Sequence, residues 1–450
     1  MYMMGLIEIG EKFVKRAKKF NADEIELFVV REEHTRVEFV GEDILTTSGI
    51  SEHVAVRVVV GKSLGFSSVS SLRENEIENA IKIAVKIAKE KPADPHFKHL
   101  PDPEKPIVSK GPFDERILNV SPEIIGKYVS EALNSAYSTS KYLKKIEGIV
   151  SLYSVNKVVV NSRGICEEDS GTFFASWIWA MLKKNDEISQ EMRVLTSRML
   201  KLESLPELFR TTVKRGEEYF GKKKLPSDFK HGPVIFENVV VPSIFATTLL
   251  FNLSARNVQE KRSVWMNKLG QQVASKKFTL IDDGTMANGF YTFRVDDEGV
   301  PMRRKVVIEN GVLKTFLYDS YAALRENKKS TGNALRPSPT SEPQVTFTNV
   351  IIEGEKGSID DLIREVDKGL LIRSYVMGSH LVDPVRGILS VTCPMAFYIE
   401  NGEIQYPLKS VIVSINIFEA LNNIVRIGKD YVSYVNFFVP SMLISGLSFT

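Results

Sequence analysis

The chain has 450 residues, with 59 lysines and arginines against 56 aspartates and glutamates, for a formal net charge of +3. That length exceeds an ordinary single core, so two domains are expected. The near-balance of charge excludes a protein whose main task is to neutralise nucleic-acid phosphates, so no nucleic-acid partner is expected.

Two cysteines, Cys166 and Cys393, are too few for a disulfide framework. The apolar run at the start is cut short by Glu8 and Glu11, unlike a signal peptide. No stretch approaches the roughly 20 apolar residues of a membrane span. The expectation is a cytoplasmic protein with no membrane partner.

Taken in chain order, the first element is an amphipathic helix, with Leu6, Ile9, Phe13, Ala17 and Phe20 at helical spacing. Strand-like runs follow at Glu24–Arg31 and Thr35–Val40, then a turn at Gly41-Glu42-Asp43. Val54–Val60, Gly61 and Leu64–Ser67 form a hairpin signal. A second helix spans about Glu74 to Lys91 and is stopped by Pro92. Residues 92–112 hold six prolines and little periodicity, which marks a long surface connection. Ser121-Pro122 is an N-cap followed by proline at the first helical position. Beyond that third helix, strands are expected at Leu152–Val160, Gly164–Glu168, Phe173–Leu182 and Glu191–Leu200, and a helix at Pro206–Phe220.

The basic, Pro- and Gly-containing segment Gly221–Gly232 is the expected domain boundary. After it come a helix at Pro242–Leu253, several hairpins, and short helices at Ile359–Asp367 and Ile417–Val425. The four residues Ile-Glu-Asn-Gly occur twice, at Ile308–Gly311 and Ile399–Gly402, and predict two tight type I′ turns. The whole predicts an α+β fold. An N-terminal sheet-and-helix domain spans 1–225, with its proline-rich connection at about 92–112, and a strand-rich domain spans 232–450.

Catalytic signals are sparse. No Ser-His-Asp pattern, P-loop or GxGxxG is discernible. Of the six histidines, His96 and His99 sit three apart in the proline-rich loop and read as solvated. Asp282-Asp283 and Asp296-Asp297-Glu298 could serve as acid/base carboxylates, but each precedes a glycine, and turn formation is the favoured reading.

The runs LGQQVAS (Leu269–Ser275), IDDGTM (Ile281–Met286), DDEGVP (Asp296–Pro301), IENGVLK (Ile308–Lys314) and STGNALR (Ser330–Arg336) closely resemble the TldD/PmbA family. Weaker likeness extends through ADEIELFV (Ala22–Val29) and Asn161–Gly164. The resemblance implies the two subunits of a zinc peptidase. The metal-bearing subunit carries a helical His-Glu-x-x-x-His upstream of the LGQQVAS-like run. Counting back places those slots at Ala246, Thr247 and Phe251, none of which binds zinc.

The metal-bearing relatives also use a cysteine near the C-terminus, and Tyr434–Leu443 has none. The resemblance therefore implies the metal-free PmbA/TldE-like subunit, with no catalytic or metal-ligating residue of its own. Zinc is expected on a TldD-like partner subunit.

The same resemblance marks Thr331, Gly332 and Asn333 as a loop against which a bound chain could lie, and Arg336 as a cation for a peptide carboxylate. It places His380, in MGSHLVDP, near the interdomain cleft. The implied function is proteolysis of unfolded or small peptides, with this chain lining the substrate cavity. The alternative is a non-enzymatic homodimer that binds peptides or modulates another enzyme such as DNA gyrase.

Overall fold

The structure is a computed structural model and describes residues 5–108 and 111–450. Met1–Met4, at the start of the expected first domain, and Ser109 and Lys110, in the proline-rich connection, lie outside the described residues.

The first half contains α1 (Leu6–Val14), β1 (Glu24–Val40), β2 (Asp43–Val60), β3 (Ser63–Val69), α2 (Glu74–Glu90), α3 (Arg116–Asn119), α4 (Pro122–Thr139), β4 (Leu143–Asn161), β5 (Cys166–Lys184), β6 (Glu187–Ser197) and α5 (Leu205–Glu217). Its strands form one antiparallel six-stranded sheet in the order β3-β2-β1-β4-β5-β6.

The second half contains β7 (His231–Phe236), α6 (Val241–Leu253), α7 (Ala255–Gln259), β8 (Leu280–Asp283), β9 (Arg304–Glu309), β10 (Val312–Leu313), α8 (Ser320–Arg325), β11 (Ala334–Leu335), β12 (Gln344–Val345) and β13 (Val350–Ile352). It continues through α9 (Ile359–Arg364), β14 (Lys368–Ile372), β15 (Ile388–Cys393), β16 (Ala396–Glu400), β17 (Glu403–Pro407), β18 (Val411–Asn416), α10 (Ile417–Asn422), β19 (Ile424–Ile427), β20 (Val432–Tyr434), β21 (Phe437–Val439) and β22 (Met442–Phe449). Two larger sheets run β10-β9-β8-β13-β21-β20 and β15-β18-β22-β7-β14-β16-β17, with β19 also on β22. The pair β11-β12 stands apart from them. The expected α+β architecture, with a strand-rich second half, is what the chain adopts.

Alternation along β1 explains how the halves meet. Ile25, Leu27 and Val29 point to the side covered by α1 and α2, and Val37 and Phe39 continue that side beneath α4 and α5. The intervening residues Glu26, Phe28, Val30 and Glu32 therefore face the other way, toward the second half. Where two strands were expected, β1 is one strand of 17 residues. Its polar middle, Glu32–Arg36, stays extended because β2 and β4 pair with it on both edges. Pairing on two sides overrides local propensity.

Local rules hold where the chain is punctuated. The Ser121 hydroxyl accepts from the Ile124 N–H at 3.4 Å, with Pro122 opening α4. The two Asn-Gly tips take positive φ at both residues, 49° and 78° at Asn310-Gly311 and 54° and 76° at Asn401-Gly402. The last two expected helices are shorter than predicted. α9 stops at Arg364, and Ile424 is already in β19.

A buried ionic cluster ties α5 to β7 across the expected boundary segment. Arg215 donates through Nη1 and Nη2 to the two carboxylate oxygens of Glu237, each at 2.8 Å. Glu191 on β6 lies against it with its carboxylate 3.5 Å from Arg215 Nε and neither oxygen in a good hydrogen bond. Burial pushes the Glu191 carboxyl up to about 7, Arg215 opposes this, and the charge of Glu237 adds to it.

Two outcomes follow from this packing. A Cβ on Gly65 would lie 1.9 Å from the Ala84 carbonyl oxygen of α2. Gly65→Ala must push β3 and α2 apart, and it should cost about 3 kcal/mol, the upper end for forced overpacking, read as a lower urea midpoint. A carboxyl whose pKa is raised in the native state stabilises the fold while protonated. That contribution is lost as pH rises through the native value near 7. Glu191→Gln should therefore match the parent near pH 5 and exceed it by about 1–3 kcal/mol at pH 8. An advantage that stays flat across that range would refute this assignment.

Candidate functional site

Between the inward face of the first sheet and the second half lies a cavity of about 450 Å³. Its floor is a grid of alternating strand residues: Phe28, Val30 and Glu32 from β1, Tyr153, Val155 and Lys157 from β4, and Phe173 from β5. The register places Val30 opposite Lys157 and Tyr153 opposite Phe173. The second half supplies the opposite walls through Leu250 of α6, the loop residues Phe290, Tyr291 and Phe293, and the segment from Leu335 to Pro339. Phe173 stacks on Tyr153 at 4.8 Å between ring centroids and meets Phe290 edge-on at 5.1 Å.

The back of this cavity is a buried charge network. Arg57 donates from Nε and Nη2 to the two oxygens of Glu26 at 2.8 and 2.5 Å, and from Nη1 to Glu298 Oε1 at 2.6 Å. The second Glu298 oxygen accepts from the Ser320 N–H at 2.9 Å. Lys157 Nζ reaches Asp297 Oδ1 at 2.7 Å, and the Arg336 N–H reaches Asp297 Oδ2 at 2.8 Å. Asp296 accepts from the N–H groups of Glu298, Val300 and Ala334 at 3.0, 3.0 and 3.1 Å. Burial alone would raise the Glu298 carboxyl, but the adjoining Arg57 charge and the Ser320 donor hold it below its usual range.

The acidic triplet does form a turn, with Gly299 at φ 80°. Two of its carboxylates, Asp297 and Glu298, are also partners of cations on the first sheet, which the turn reading did not anticipate.

Three of the expected contact residues are correspondingly displaced. Arg336 is not a free cation. Its side chain is 1% exposed, and its guanidinium donates to Glu26 Oε1 at 3.1 Å and to the Ser341 carbonyl at 2.5 Å. Asn333 is fully buried and donates to Asp282 Oδ1 and the Thr346 carbonyl at 2.9 and 2.8 Å. Gly332 sits at φ 70° with no room for a Cβ, 2.3 Å from the Pro301 carbonyl oxygen.

Thr331 is half-buried, and its hydroxyl is held by the Tyr318 backbone. The Thr-Gly-Asn loop is thus a packed joint behind the cavity, since buried polar groups must find internal partners. His380 is exposed in a short turn, Ser379–Leu381, and is not among the residues that line the cavity.

The helix α6 runs beside the cavity. Pro242 occupies its first turn, and Ile244, Phe245, Leu249 and Leu253 are buried. Ser243, Ala246, Thr247, Leu250 and Phe251 form its less buried face. Asn252 anchors the helix by donating to the Thr248 and Pro384 carbonyls at 2.9 and 2.8 Å. At Ala246, Thr247 and Phe251 the face offers a methyl, a hydroxyl and a phenyl ring. This set does not fit a zinc ion, which needs imidazole, thiolate or carboxylate donors. Among the described residues, no three His, Cys, Asp or Glu side chains converge to hold a metal.

The aromatic floor was missed in the sequence. Period-two alternation in Phe28–Glu32 and Tyr153–Lys157 was its only local signal.

Comparison with known proteins agrees with the motifs. The PmbA/TldA metallopeptidase C-terminal domain matches residues 230–450, and PmbA/TldA metallopeptidase domain 1 matches residues 25–88. An uncharacterised protein of Methanocaldococcus jannaschii is 30% identical over 94% of this chain and 95% of its own. The metalloprotease PmbA homologue of Buchnera aphidicola is 24% identical, over 98% of this chain and 96% of its own. The crystal structure of TldE from Thermococcus kodakarensis is similar at a TM-score of 0.89 and 25% identity, covering 98% of this chain and all of that one. Fold and motifs together define a scaffold of the metallopeptidase-related class, with two apposed α+β halves. The chain belongs to the TldD/PmbA family.

The charge network makes a sharp prediction. Arg57→Ala leaves Glu26 and Glu298 buried without their shared cation. Breaking a buried pair from one side costs about 3–5 kcal/mol, so the urea midpoint should fall accordingly. Arg57→Met should not rescue it, because the two carboxylates remain. A variant as stable as the parent would show that the network is not closed in solution.

Proposed function

We propose that this chain is the metal-free, TldE/PmbA-like subunit of a two-subunit zinc peptidase. In this reading it lines the substrate cavity and helps hold unfolded or small peptides for cleavage. The single observation that carries the reading is the helix face beside the cavity, where Ala246, Thr247 and Phe251 stand in the slots that the resemblance assigns to ligands and base. The likeness to TldE of Thermococcus kodakarensis supports the same choice.

The zinc, and the water it activates, would belong to a TldD-like metal-bearing partner. This chain would contribute walls and binding contacts. Alone it would form homodimers or bind peptide without cutting it. Among the described residues no helix is long and apolar enough to cross a membrane, and the proposed setting is the cytoplasm.

The test is peptide hydrolysis by the chain alone, by its metal-bearing paralogue alone, and by the two mixed. The expected outcome is activity only in the mixture, abolished by a chelator, with less than one zinc per chain in this subunit purified by itself. Stoichiometric, chelator-sensitive zinc in the isolated chain would overturn the metal-free reading. Equal activity of the paralogue with and without this chain would favour the independent peptide-binding homodimer.

A further inference from the structure

The cavity has a polarity that its neutralised charges conceal. Lys157 is paired with Asp297 at 2.7 Å, and Arg336 with Glu26 at 3.1 Å. One carboxylate on its lining has neither ion pair nor hydrogen bond among the described residues, and that is Glu32. Glu32 is half-buried on β1, two and four residues from Val30 and Phe28, which are 2% and 4% exposed. Tyr153 and Val155 on the neighbouring β4 are half-buried, whereas Lys157 is buried. Both strands thus run from a closed end at Phe28 and Lys157 to a mouth at Glu32 and Tyr153.

The mouth is rimmed by aromatic faces. Glu32, Tyr153 and Tyr291 line the same cavity; burial above all, with Tyr291 and the charge of Glu32 adding and Arg198 opposing, raises the Tyr153 phenol to about 12. The interior beyond them is apolar and aromatic, walled by Phe173, Phe290, Phe293 and Leu250.

A ligand suited to this site carries a bulky apolar side chain and a cation only a few bonds from it. The side chain would fill the aromatic interior, and the cation would meet Glu32 over the Tyr153 ring. A cavity of about 450 Å³ holds one such residue and the start of the next, not a long segment.

We propose that this cavity captures the amino-terminal residue of a peptide, with an aromatic or large aliphatic side chain inside and the α-ammonium paired with Glu32. The proposal rests on the reading that this cleft holds peptide. It narrows that reading to free amino-terminal ends, a recognised mode of terminus capture.

Isothermal titration of the full chain with Phe-Ala-Ala amide, its N-acetyl form, Ala-Ala-Ala amide and N-acetyl-Phe-Ala-Lys amide tests this. The free Phe peptide should bind at least about tenfold tighter than the acetylated form, the scale of one charge-assisted contact. It should also bind tighter than the alanine peptide. Glu32→Gln should abolish the preference for a free amine while leaving the thermal midpoint unchanged. Leu250→Arg should block all four peptides.

Equal binding of free and acetylated Phe peptides, or no response to Glu32→Gln, overturns the proposal. Tight binding of the lysine peptide would assign Glu32 to a side-chain ammonium and overturn it as well.

Hydrolysis by the mixture with the metal-bearing paralogue is measured on the same samples. Stimulation without peptide binding would sink the pocket and spare the subunit role. Binding without stimulation would do the reverse.

Discussion

Everything at the centre of this molecule depends on the sharing of Glu26 by two arginines, Arg57 and Arg336, that come from opposite halves of the chain. Arg57 is the direct cross-strand neighbour of Glu26, placed there by the β1-β2 register. Arg336 arrives from 310 residues away. Taking such charges out of water is expensive, and apolar replacements can be equally stable. Their value lies in geometry. A one-residue slip of β2 would carry Arg57 to the helix-covered side and leave Glu26 and Glu298 without a cation. The network therefore ties sheet register to the seating of one half on the other, and a misregistered sheet cannot dock.

That seating determines what kind of cavity can exist. With Arg57, Lys157 and Arg336 satisfied by Glu26, Glu298 and Asp297, the cations near the lining are spent on internal partners. The remaining surface is mostly aromatic and apolar, with Ser338, Gln344 and Thr346 among its polar groups, and Glu32 at its mouth is its one carboxylate without an ion pair among the described residues. Lys157 also lies 4.1 Å from the Phe293 ring centroid, and Arg336 4.9 Å from that of Phe28, so rings of the lining cover both buried cations. A wall of this composition suits a ligand recognised by shape and by one charge.

How much of this was readable depended on range. Features set by a few consecutive residues were legible: the Ser121-Pro122 cap, the stop at Pro92, and the two Asn-Gly tips. So was the α+β order of elements, because the hydrophobic period changes along the chain. The role of Arg336 was not legible, because nothing near it in sequence announces Glu26. Asn333 failed for the same reason, since its partner Asp282 lies 51 residues away. Asp296–Glu298 was half legible. The glycine at Gly299 disclosed the turn, while the cations that bind Glu298 and Asp297 sit on β2 and β4. In a chain whose site is built at a junction, local chemistry identifies turns well and assigns charged side chains poorly.

The same junction explains a backbone oddity at Val435. Val435 takes φ 54°, a left-handed conformation that a β-branched residue avoids by about 1–2 kcal/mol. It stands at the first central position of the β20-β21 turn, where glycine would be unstrained. Two contacts hold it there. Its N–H donates to Thr196 Oγ1 on β6 at 3.0 Å, and its side chain packs on the cluster of Phe173, Phe290, Phe293 and Met302. Both contacts are made with groups that border the cavity or belong to the first half. The strain is therefore tolerated only while the halves are docked. Glycine would relax the backbone but leave a gap in the aromatic wall.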